Sequence, residues 1–439
     1  MTPEHELLTS PGRQLLADLA GQDVTPERAM RLAESLRGKY PPELIAAALT
    51  QLSLRAAARS KFSLAGEMLF TRPGLEQASS EAAARHSAAR YADSAVVADL
   101  CCGIGGNLME LAAGRRVLAA DADPVALAFA RHNAGLRPGG ERVAAVRADV
   151  RELSLRGVDA VFIDPARRAG GRRLRAGHSE PPLGWCVGLA GQVPAVGIKA
   201  APGLPRERVP AGWETEFVAI GRALKEALLW SPALATVASR ATVLQHAAGA
   251  AQPPSASQAP AGQPSPGARP APPARPVHGA GQGSPVPAAD VLLPQPGAPV
   301  QVAPPGRYLL DPNPAVTRAG LVEDLARLTG SWKIDPMIAF LSADEQVRTP
   351  FARTLLVLLS ARWNERQFAA ALRERGIGSA DIRRRGLAGD VEQIRRRLAL
   401  RGNAAATIVI TRMNGTPWGL ICAQPDDEAA SAGPAPGQP

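Results

Sequence analysis

From Val96 onward, short apolar runs alternate with stretches whose apolar positions recur at helical spacing. The runs predict strands at Val96–Leu100, Arg116–Asp121, Val143–Asp149, Val158–Asp164 and Ala195–Ala200. Continuous apolar strands separated by helices predict a parallel sheet covered on both faces. After Trp213, Glu216–Ile220 and Glu226–Trp230 flank Gly221-Arg222-Ala223, a loop short enough to predict an antiparallel hairpin. Ala241–Leu244 adds a candidate edge strand. Upstream, residues 11–60 show helical periodicity, with Thr25-Pro26-Glu27 and Pro41-Pro42-Glu43 as helix starts. A further amphipathic segment, Leu75–Tyr91, leads into the first strand.

Residues 246–304 are rich in Pro, Ala, Gly, Gln and Ser, with almost no charge and no periodicity. Such a segment buries too little apolar surface to offset chain entropy and predicts a disordered linker. Beyond it, the pattern predicts a helix over Ala315–Thr329, strands at Met337–Leu341 and Thr354–Leu359, and a helix over Glu365–Arg375. A strand near Ile382, a helix over Val391–Leu400 and a hairpin over Thr407–Cys422, turning at Asn414-Gly415, complete a second α/β domain. The expected organisation is a helical region (1–92), a sheet domain (93–245), the linker (246–304), a basic α/β domain (305–425) and an acidic tail (426–439).

Composition narrows the class. The 439 residues are 46% hydrophobic and 21% charged, as in a globular protein of two or three domains. Aromatic residues are only 4%, which argues against a stacking-rich single-strand-binding surface. Only five lysines occur (Lys39, Lys61, Lys199, Lys225 and Lys333), so the net charge of +10 is carried by arginine. Enrichment in Arg, Ala, Gly and Pro fits a GC-rich bacterial genome, so the location of charge matters more than its total. No pair among the four cysteines (Cys101, Cys102, Cys186 and Cys422) has zinc-ligand spacing, and no metal is expected. The amino terminus lacks an apolar signal region and no run approaches a membrane span, which leads us to expect a cytoplasmic protein.

The sharpest chemical signal is Val97-Ala98-Asp99-Leu100-Cys101-Cys102-Gly103-Ile104-Gly105-Gly106-Asn107. A strand ends in an acid and runs into a glycine-rich turn before a helix, an arrangement that lets backbone amides approach a ligand. Alone, such a turn is weak evidence. Asp121 then ends the second strand, where an acid accepts hydrogen bonds from ribose hydroxyls. Asp149 ends the third, where a side chain meets an adenine amino group, and Asp164 ends the fourth. Helix capping accounts for one or two of these acids, and less well for four at the carboxyl edge of one sheet.

Asp99–Asn107, Asp121-Ala122-Asp123-Pro124 and Asp164-Pro165-Ala166-Arg167 resemble motifs of class I S-adenosylmethionine-dependent methyltransferases. The glycine loop is closest to trimethylguanosine synthase-type RNA methyltransferases. With Met68-Leu69-Phe70-Thr71-Arg72 before it and the basic domain behind, the chain resembles bacterial methyltransferases with a THUMP-like carboxy-terminal domain. The resemblance implies a Rossmann-like α/β sheet with an amino-terminal helical cap and a second α/β domain, and S-adenosyl-L-methionine as cofactor. It implies that Asp99, Cys101, Gly103, Gly105, Gly106 and Asn107 line the methionine end, Asp121 holds the ribose, and Asp149 with Val150 holds the adenine. Asp164, Pro165 and Arg167 would form the catalytic wall, with Asp164 orienting the acceptor or taking its proton. Ala166 and Arg167 stand where amino-methylating enzymes carry Pro and an aromatic, which counts against an exocyclic amine. No cysteine lies near Ile198-Lys199-Ala200-Ala201-Pro202 to serve a covalent route to 5-methylpyrimidines, and Cys186 reads as structural.

Arg167, Arg168, Arg172, Arg173 and Arg175 follow the acceptor motif with no acid between Asp164 and Glu180. The run suits a polyanion and predicts an RNA substrate, rRNA or tRNA. Residues 305–425 hold 18 basic against 11 acidic side chains, including Arg383-Arg384-Arg385 and Arg395-Arg396-Arg397. Three consecutive arginines on a helix do not share one face. Trp418 reads first as packing, and His86, His132 and His178 as incidental. Two alternatives stay open: a small-molecule methyltransferase, and a non-catalytic RNA-binding protein that keeps the fold. The oligomeric state and the methylated atom are not legible.

Overall fold

The computed structural model describes residues 2–22, 25–166, 168–169, 172–173, 179–245, 289–387 and 390–425, with the backbone alone at 168–169 and 172–173. Two compact units share the chain. One holds residues 1–250, 287–298 and 313–325, and the other 251–286, 299–312 and 326–439.

The first unit opens with helices α1 (Pro3–Glu6), α2 (Ser10–Asp18), α3 (Pro26–Leu36) and α4 (Pro42–Ala58). Thr9 and Thr25 cap α2 and α3 through their hydroxyls, which accept amide hydrogens the first turn leaves unpaired. The expected segment Leu75–Tyr91 is two helices, α5 (Arg72–Gln77) and α6 (Glu81–Ala88), because Ser80 caps a new start. Leu7, Leu15, Leu44, Ile45 and Leu69 bury themselves around Phe129, which comes from helix α8 (Pro124–Ala134) of the sheet layer. Burying one such side chain contributes about 1.5–3 kcal/mol, so the helical cap and the sheet share a core.

Strands β1 (Val96–Leu100), β2 (Arg116–Asp121), β3 (Val143–Arg147) and β4 (Ala160–Ile163) follow, with α7 (Leu108–Leu111) and α8 between the first three. The third strand stops at Arg147, short of Asp149, because Asp149 caps a 3₁₀ turn with its side chain accepting from the Arg151 amide. The fourth is shorter than Val158–Asp164, since Asp159 spends a carboxylate oxygen on the Ala95 and Val96 amides. A short ribbon, β5 (Arg168–Ala169) and β6 (Arg172–Arg173), precedes α9 (Leu183–Gly188) and β7 (Ala195–Ala200). The hairpin is β8 (Glu214–Ile220) and β9 (Ala223–Trp230), longer at its start than the apolar pattern predicts. The excess is Glu214 and Thr215, whose polarity hid them.

The sheet has the order β11-β10-β8-β9-β7-β4-β1-β2-β3, with β10 (Ser239–Leu244) and β11 (Ala289–Leu292) at one end. Strand β9 runs antiparallel to β7 and β8, β11 runs antiparallel to β10, and the remaining pairs are parallel. Two expectations change here. Ala241–Leu244 is not an edge, because β11 covers it; and β11 falls inside the stretch 246–304 that composition assigned to a linker. Residues 246–288 of that stretch lie outside the described residues, as does the tail 426–439. Val291-Leu292-Leu293 is an apolar patch too short to register as periodicity.

The boundary at 305 also moves. Residues 313–325 belong to the first unit, with α10 (Pro314–Ala319) bonded to the sheet layer through Asn313 Nδ2 to the Gly221 carbonyl at 2.8 Å. Gly320, at φ +71°, ends α10 and splits the expected single helix from α11 (Val322–Thr329).

The second unit is a seven-stranded sheet, β13-β14-β12-β15-β18-β17-β16. Its strands are β12 (Tyr308–Pro312), β13 (Trp332–Lys333), β14 (Leu341–Ala343), β15 (Ala352–Arg362), β16 (Ile377–Arg384), β17 (Ala404–Met413) and β18 (Thr416–Ala423). Helix α12 (Glu365–Glu374) connects β15 to β16, and α13 (Val391–Leu398) crosses from β16 to its parallel partner β17. Met337 is not in a strand: Asp335 accepts from the Met337 and Asn414 amides, making a turn that leaves Met337 exposed. The architecture is α/β in both units, with a Rossmann-like sheet under a helical cap and a second α/β domain. No helix among the described residues is long and apolar enough to cross a membrane.

Candidate active site

Neighbouring β1 has β2 on one side and β4 on the other, so the strand order reverses there. Ligands of open α/β sheets bind at that crevice, outside the carboxyl ends. A cavity of about 360 Å³ occupies it, lined by Asp99, Cys101, Gly103, Gly106, Asn107, Asp121, Asp149, Val150 and Asp164 among others.

Between β1 and α7 the backbone turns through three left-handed residues, Cys101 (φ +58°), Gly103 (φ +54°) and Gly105 (φ +84°). A non-glycine residue in that region carries strain, which collects where a ligand must be met. Gly105 is required twice over, because a Cβ there would lie 3.0 Å from the Ala130 Cα of α8. The Gly103 amide donates to Asp121 Oδ2 at 2.8 Å, and the Asp123 amide to Asp121 Oδ1 at 2.9 Å. Helix α7 is only one turn long, so the loop's own amides, more than a long helix terminus, face the cavity.

Asp99 is 1% exposed, yet neither carboxylate oxygen has a hydrogen-bond partner among the described residues. Burial pushes its pKa well above the usual carboxylate range, and the neighbouring Asp164 and Asp121 charges add to the rise. An orphaned buried acid is costly unless a ligand completes it. Among the described residues the lining holds six acids (Asp99, Asp121, Asp123, Asp149, Asp164 and Glu180) and one base, Arg151. That balance disfavours a pyrophosphate and suits a ligand that carries a sulfonium and an ammonium to one side of a nucleoside. The donor set fits S-adenosylmethionine.

Asp149 accepts from the Arg151 amide and guanidinium, and Arg151 Nη1 also lies 2.9 Å from Glu180 Oε1. Asp164 Oδ2 accepts from Lys199 Nζ at 2.6 Å. Ala166 and Glu180 both line the cavity and exchange two backbone hydrogen bonds, of 2.8 and 2.9 Å. Residues 167–179, with the arginine run, therefore begin and end at the cavity's rim. Arg167 and Arg175 lie outside the described residues, and Arg168, Arg172 and Arg173 form the ribbon β5–β6. Burial raises the Cys101 thiol far above its ordinary range and pushes Cys186 up to about 12. Neither is poised as a thiolate nucleophile.

Sequence reasoning missed several residues here. Asn133 of α8 accepts from the Leu69 amide at 2.8 Å and donates to the Leu69 and Ile104 carbonyls, tying the helical cap to the glycine loop. Gln77 and Thr71 bring the cap to the cavity wall. Lys199 interrupts the apolar run of β7, a signal the pattern offered and that was read only for its lack of cysteine. His86 is not incidental: its Nε2 lies 2.7 Å from Glu216 Oε1 within a buried polar cluster of β8.

In the second unit, two arginines of the triplets are engaged internally: Arg385 pairs with Asp311 at 2.8 Å and stacks over Phe340, and Arg395 donates to the Ala380 carbonyl at 2.7 Å. Arg383, Arg396 and Arg397 are exposed. Trp418 donates to Ser360 at 2.9 Å and packs against the core.

Comparison with known proteins agrees with this geometry. Residues 94–171 match the family model described as RNA cap guanine-N2 methyltransferase, residues 352–424 match THUMP domain-like, and residues 4–58 match a domain of unknown function. An uncharacterized S-adenosylmethionine-dependent methyltransferase of Mycobacterium tuberculosis is 35% identical over 354 residues, 79% of this chain and 85% of that protein. A Porphyromonas gingivalis W83 protein whose crystal structure carries a provisional methyltransferase name shares the fold, with a TM-score of 0.67 and 18% identity. That match covers 94% of this chain and 98% of its own. An enzyme with this cavity and these relatives takes S-adenosylmethionine as its cofactor, and the chain belongs to the S-adenosylmethionine-dependent methyltransferases.

Proposed function

We propose that the protein methylates RNA, rRNA or tRNA, at the cavity between β1, β2 and β4. The observation that carries the reading is the Ala166–Glu180 backbone bridge, which roots an arginine-rich segment at the rim of an acidic cofactor cavity. An acidic floor favours the cationic cofactor, while a basic rim favours a phosphate backbone. The two charges serve different partners.

In this reading Asp99, Cys101, Gly103, Gly105, Gly106 and Asn107 surround the methionine end, Asp121 holds the ribose hydroxyls, and Asp149 with Val150 flanks the adenine. The bound cofactor supplies an electrophilic methyl group on a sulfonium. Asp164 orients the acceptor, Pro165 fixes the turn and Arg167 borders the docking wall, while Arg168, Arg172, Arg173 and Arg175 contact phosphates. Aligning two reactants is the larger part of such catalysis. The family description over 94–171, RNA cap guanine-N2 methyltransferase, supports the same substrate class.

Fluorescence anisotropy on tRNA and rRNA fragments across a salt series tests it. Replacing Arg172, Arg173 and Arg175 by Ala should weaken RNA binding across many sequences and reduce the salt slope by about one per lost phosphate contact. Cofactor affinity should not change. Salt-independent binding, or RNA affinity unchanged in the variant, would transfer the assignment to a small-molecule acceptor.

A further inference from the structure

Lys199 is a buried cation at the carboxyl end of β7, 4% exposed. Its ammonium donates to Asp164 Oδ2 at 2.6 Å and to the Gln77 carbonyl at 3.2 Å, and lies 3.9 Å from Glu226 Oε2 of β9. That Glu226 oxygen accepts from Ser79 at 2.8 Å. Asp164 and Gln77 line the cavity, and Asp164 Oδ1 has no protein partner among the described residues. A second lysine, Lys61, donates to the Leu75, Glu76 and Ala78 carbonyls, so two ammonium groups bind all four carbonyls from 75 to 78. The end of α5, with Gln77 at the cavity wall, is thereby tied to the same lysine as Asp164.

Burying an ammonium is expensive unless it is paired, and replacing such pairs by apolar residues is often neutral or stabilising. Packing alone gives no reason for a charged chain across β7, β9 and the helical cap that ends at one solvent-reaching oxygen. A carboxylate gripped on one oxygen by a charged donor presents the other oxygen as a fixed hydrogen-bond acceptor. We propose that Lys199 is the positioning residue that holds Asp164 for the acceptor, and that the acceptor atom carries a hydrogen, as an N–H or an O–H.

The inference rests on the RNA reading only for the identity of the acceptor. In the step it describes, the acceptor atom bonds the methyl carbon, the carbon–sulfur bond breaks with its electron pair left on sulfur, and the acceptor's proton passes to Asp164. The methylated product is neutral at that atom. A ring nitrogen with only a lone pair has no proton to give and would emerge as a permanent cation.

The test uses the full chain, labelled S-adenosylmethionine, and total RNA from a strain lacking the enzyme. K199M should lower kcat about 100-fold or more, the low end for loss of a positioned acid–base group, while affinity for S-adenosylhomocysteine stays within about threefold of wild type. K199R should recover at least part of the loss, since it restores the donor. Because K199M leaves Glu226 without a cation, K199M/E226Q is made beside it to keep the buried charge balanced. Crystal structures of wild type and K199M should show the Asp164 carboxyl turned from its cavity-facing position in the variant. Nucleoside mass spectrometry should find a neutral methylated product. A kcat within about threefold of wild type in both Met variants, an unmoved Asp164, or a cationic product overturns the proposal. If wild type labels the small-molecule fraction of the extract and not RNA, the RNA reading fails, and the same variants compared on that fraction still decide the role of Lys199.

Discussion

Arg151 closes on Asp149 with contacts to both carboxylate oxygens, at 3.0 Å and 3.1 Å from Nε and 2.7 Å from Nη2. The guanidinium and the turn that Asp149 caps hold this acid at the cavity edge, and the bonds from Arg151 lower its pKa. In the proposed reading an adenine amino group would share this carboxylate with Arg151, whose contacts already engage both oxygens. Asp149→Ala should weaken cofactor binding several-fold, because it removes the carboxylate that would accept from the adenine amino group. Arg151→Ala should cost less, because an exposed ion pair contributes little. Calorimetry with S-adenosylhomocysteine measures both.

Asp121 does two things at once. Its two oxygens bind the Gly103 and Asp123 amides, and it stands where ribose hydroxyls would donate. Asp121→Ala should therefore weaken the cofactor by about 1.5–3 kcal/mol, the range for a hydrogen bond to a charged group, and should also loosen the glycine loop. Hydrogen exchange of the loop amides in cofactor-free protein should rise in the variant. Unchanged exchange with weakened binding would leave only the ribose role.

Asp99 should set a conflict between stability and function. Its folded pKa lies above the unfolded one, so the folded chain holds the proton longer. The group's burden on stability is absent below the unfolded value and grows as pH rises toward the folded value. Asp99→Asn should raise the melting temperature of cofactor-free protein at pH 8, by about 2–4 °C for each kcal/mol relieved, with the gap narrowing in acid. The same variant should bind the cofactor poorly. Wild-type affinity should fall as pH drops through the raised pKa, because the cationic ligand needs the carboxylate.

Glu216 has the opposite sign. It is fully buried on β8, bonded to His86, Trp230 and Thr242, and its pKa is lowered to about 2 from an ordinary 4.5. Its stabilisation is present above the unfolded value and is lost as pH falls from about 4.5 to about 2. At about 1.4 kcal/mol per pH unit, the contribution is roughly 3 kcal/mol. Glu216→Gln should lower stability at pH 7 by that order and flatten the acid limb of urea-denaturation midpoints between pH 5 and about 2.

The motif residues were legible because they are either contiguous, as from Asp99 to Asn107, or mark the ends of apolar strands, as Asp121 and Asp164 do. A strand's end is a local event that composition records. Lys199, Gln77 and Glu226 come from three separate elements and meet only after the sheet closes, as Asn133 does with Leu69 and Ile104, so no spacing relates them. Lys199 left a trace as a charge inside Val196–Ala200, and Glu214, Glu216 and Glu226 left the same trace in the hairpin. Charges within central strands signal buried partners, and those partners must be found in space. The helical cap's part in the cavity showed only in the Met68–Arg72 stretch; Gln77 lies within the expected segment Leu75–Tyr91, where its spacing marks no contact with the sheet. The break at Gly320 was readable as a helix stop, but the apolar positions on either side keep helical period and concealed it.

Strands β10 and β11 are joined by the longest stretch of uncharted chain, and Leu244 and Ala289 are direct partners in their pairing. The chain thus returns to within about 5 Å of where it left, the spacing of paired strands. A spacer that sets the distance between two bodies must begin on one and end on the other, whereas this one has both ends on the same sheet edge. Its length is therefore decoupled from the enzyme's geometry, and the position works as a port. A two-residue Asn-Gly turn could replace residues 245–288, a foreign domain with adjacent termini could be grafted there, or new chain ends could be opened, all without altering the register that supports the cavity.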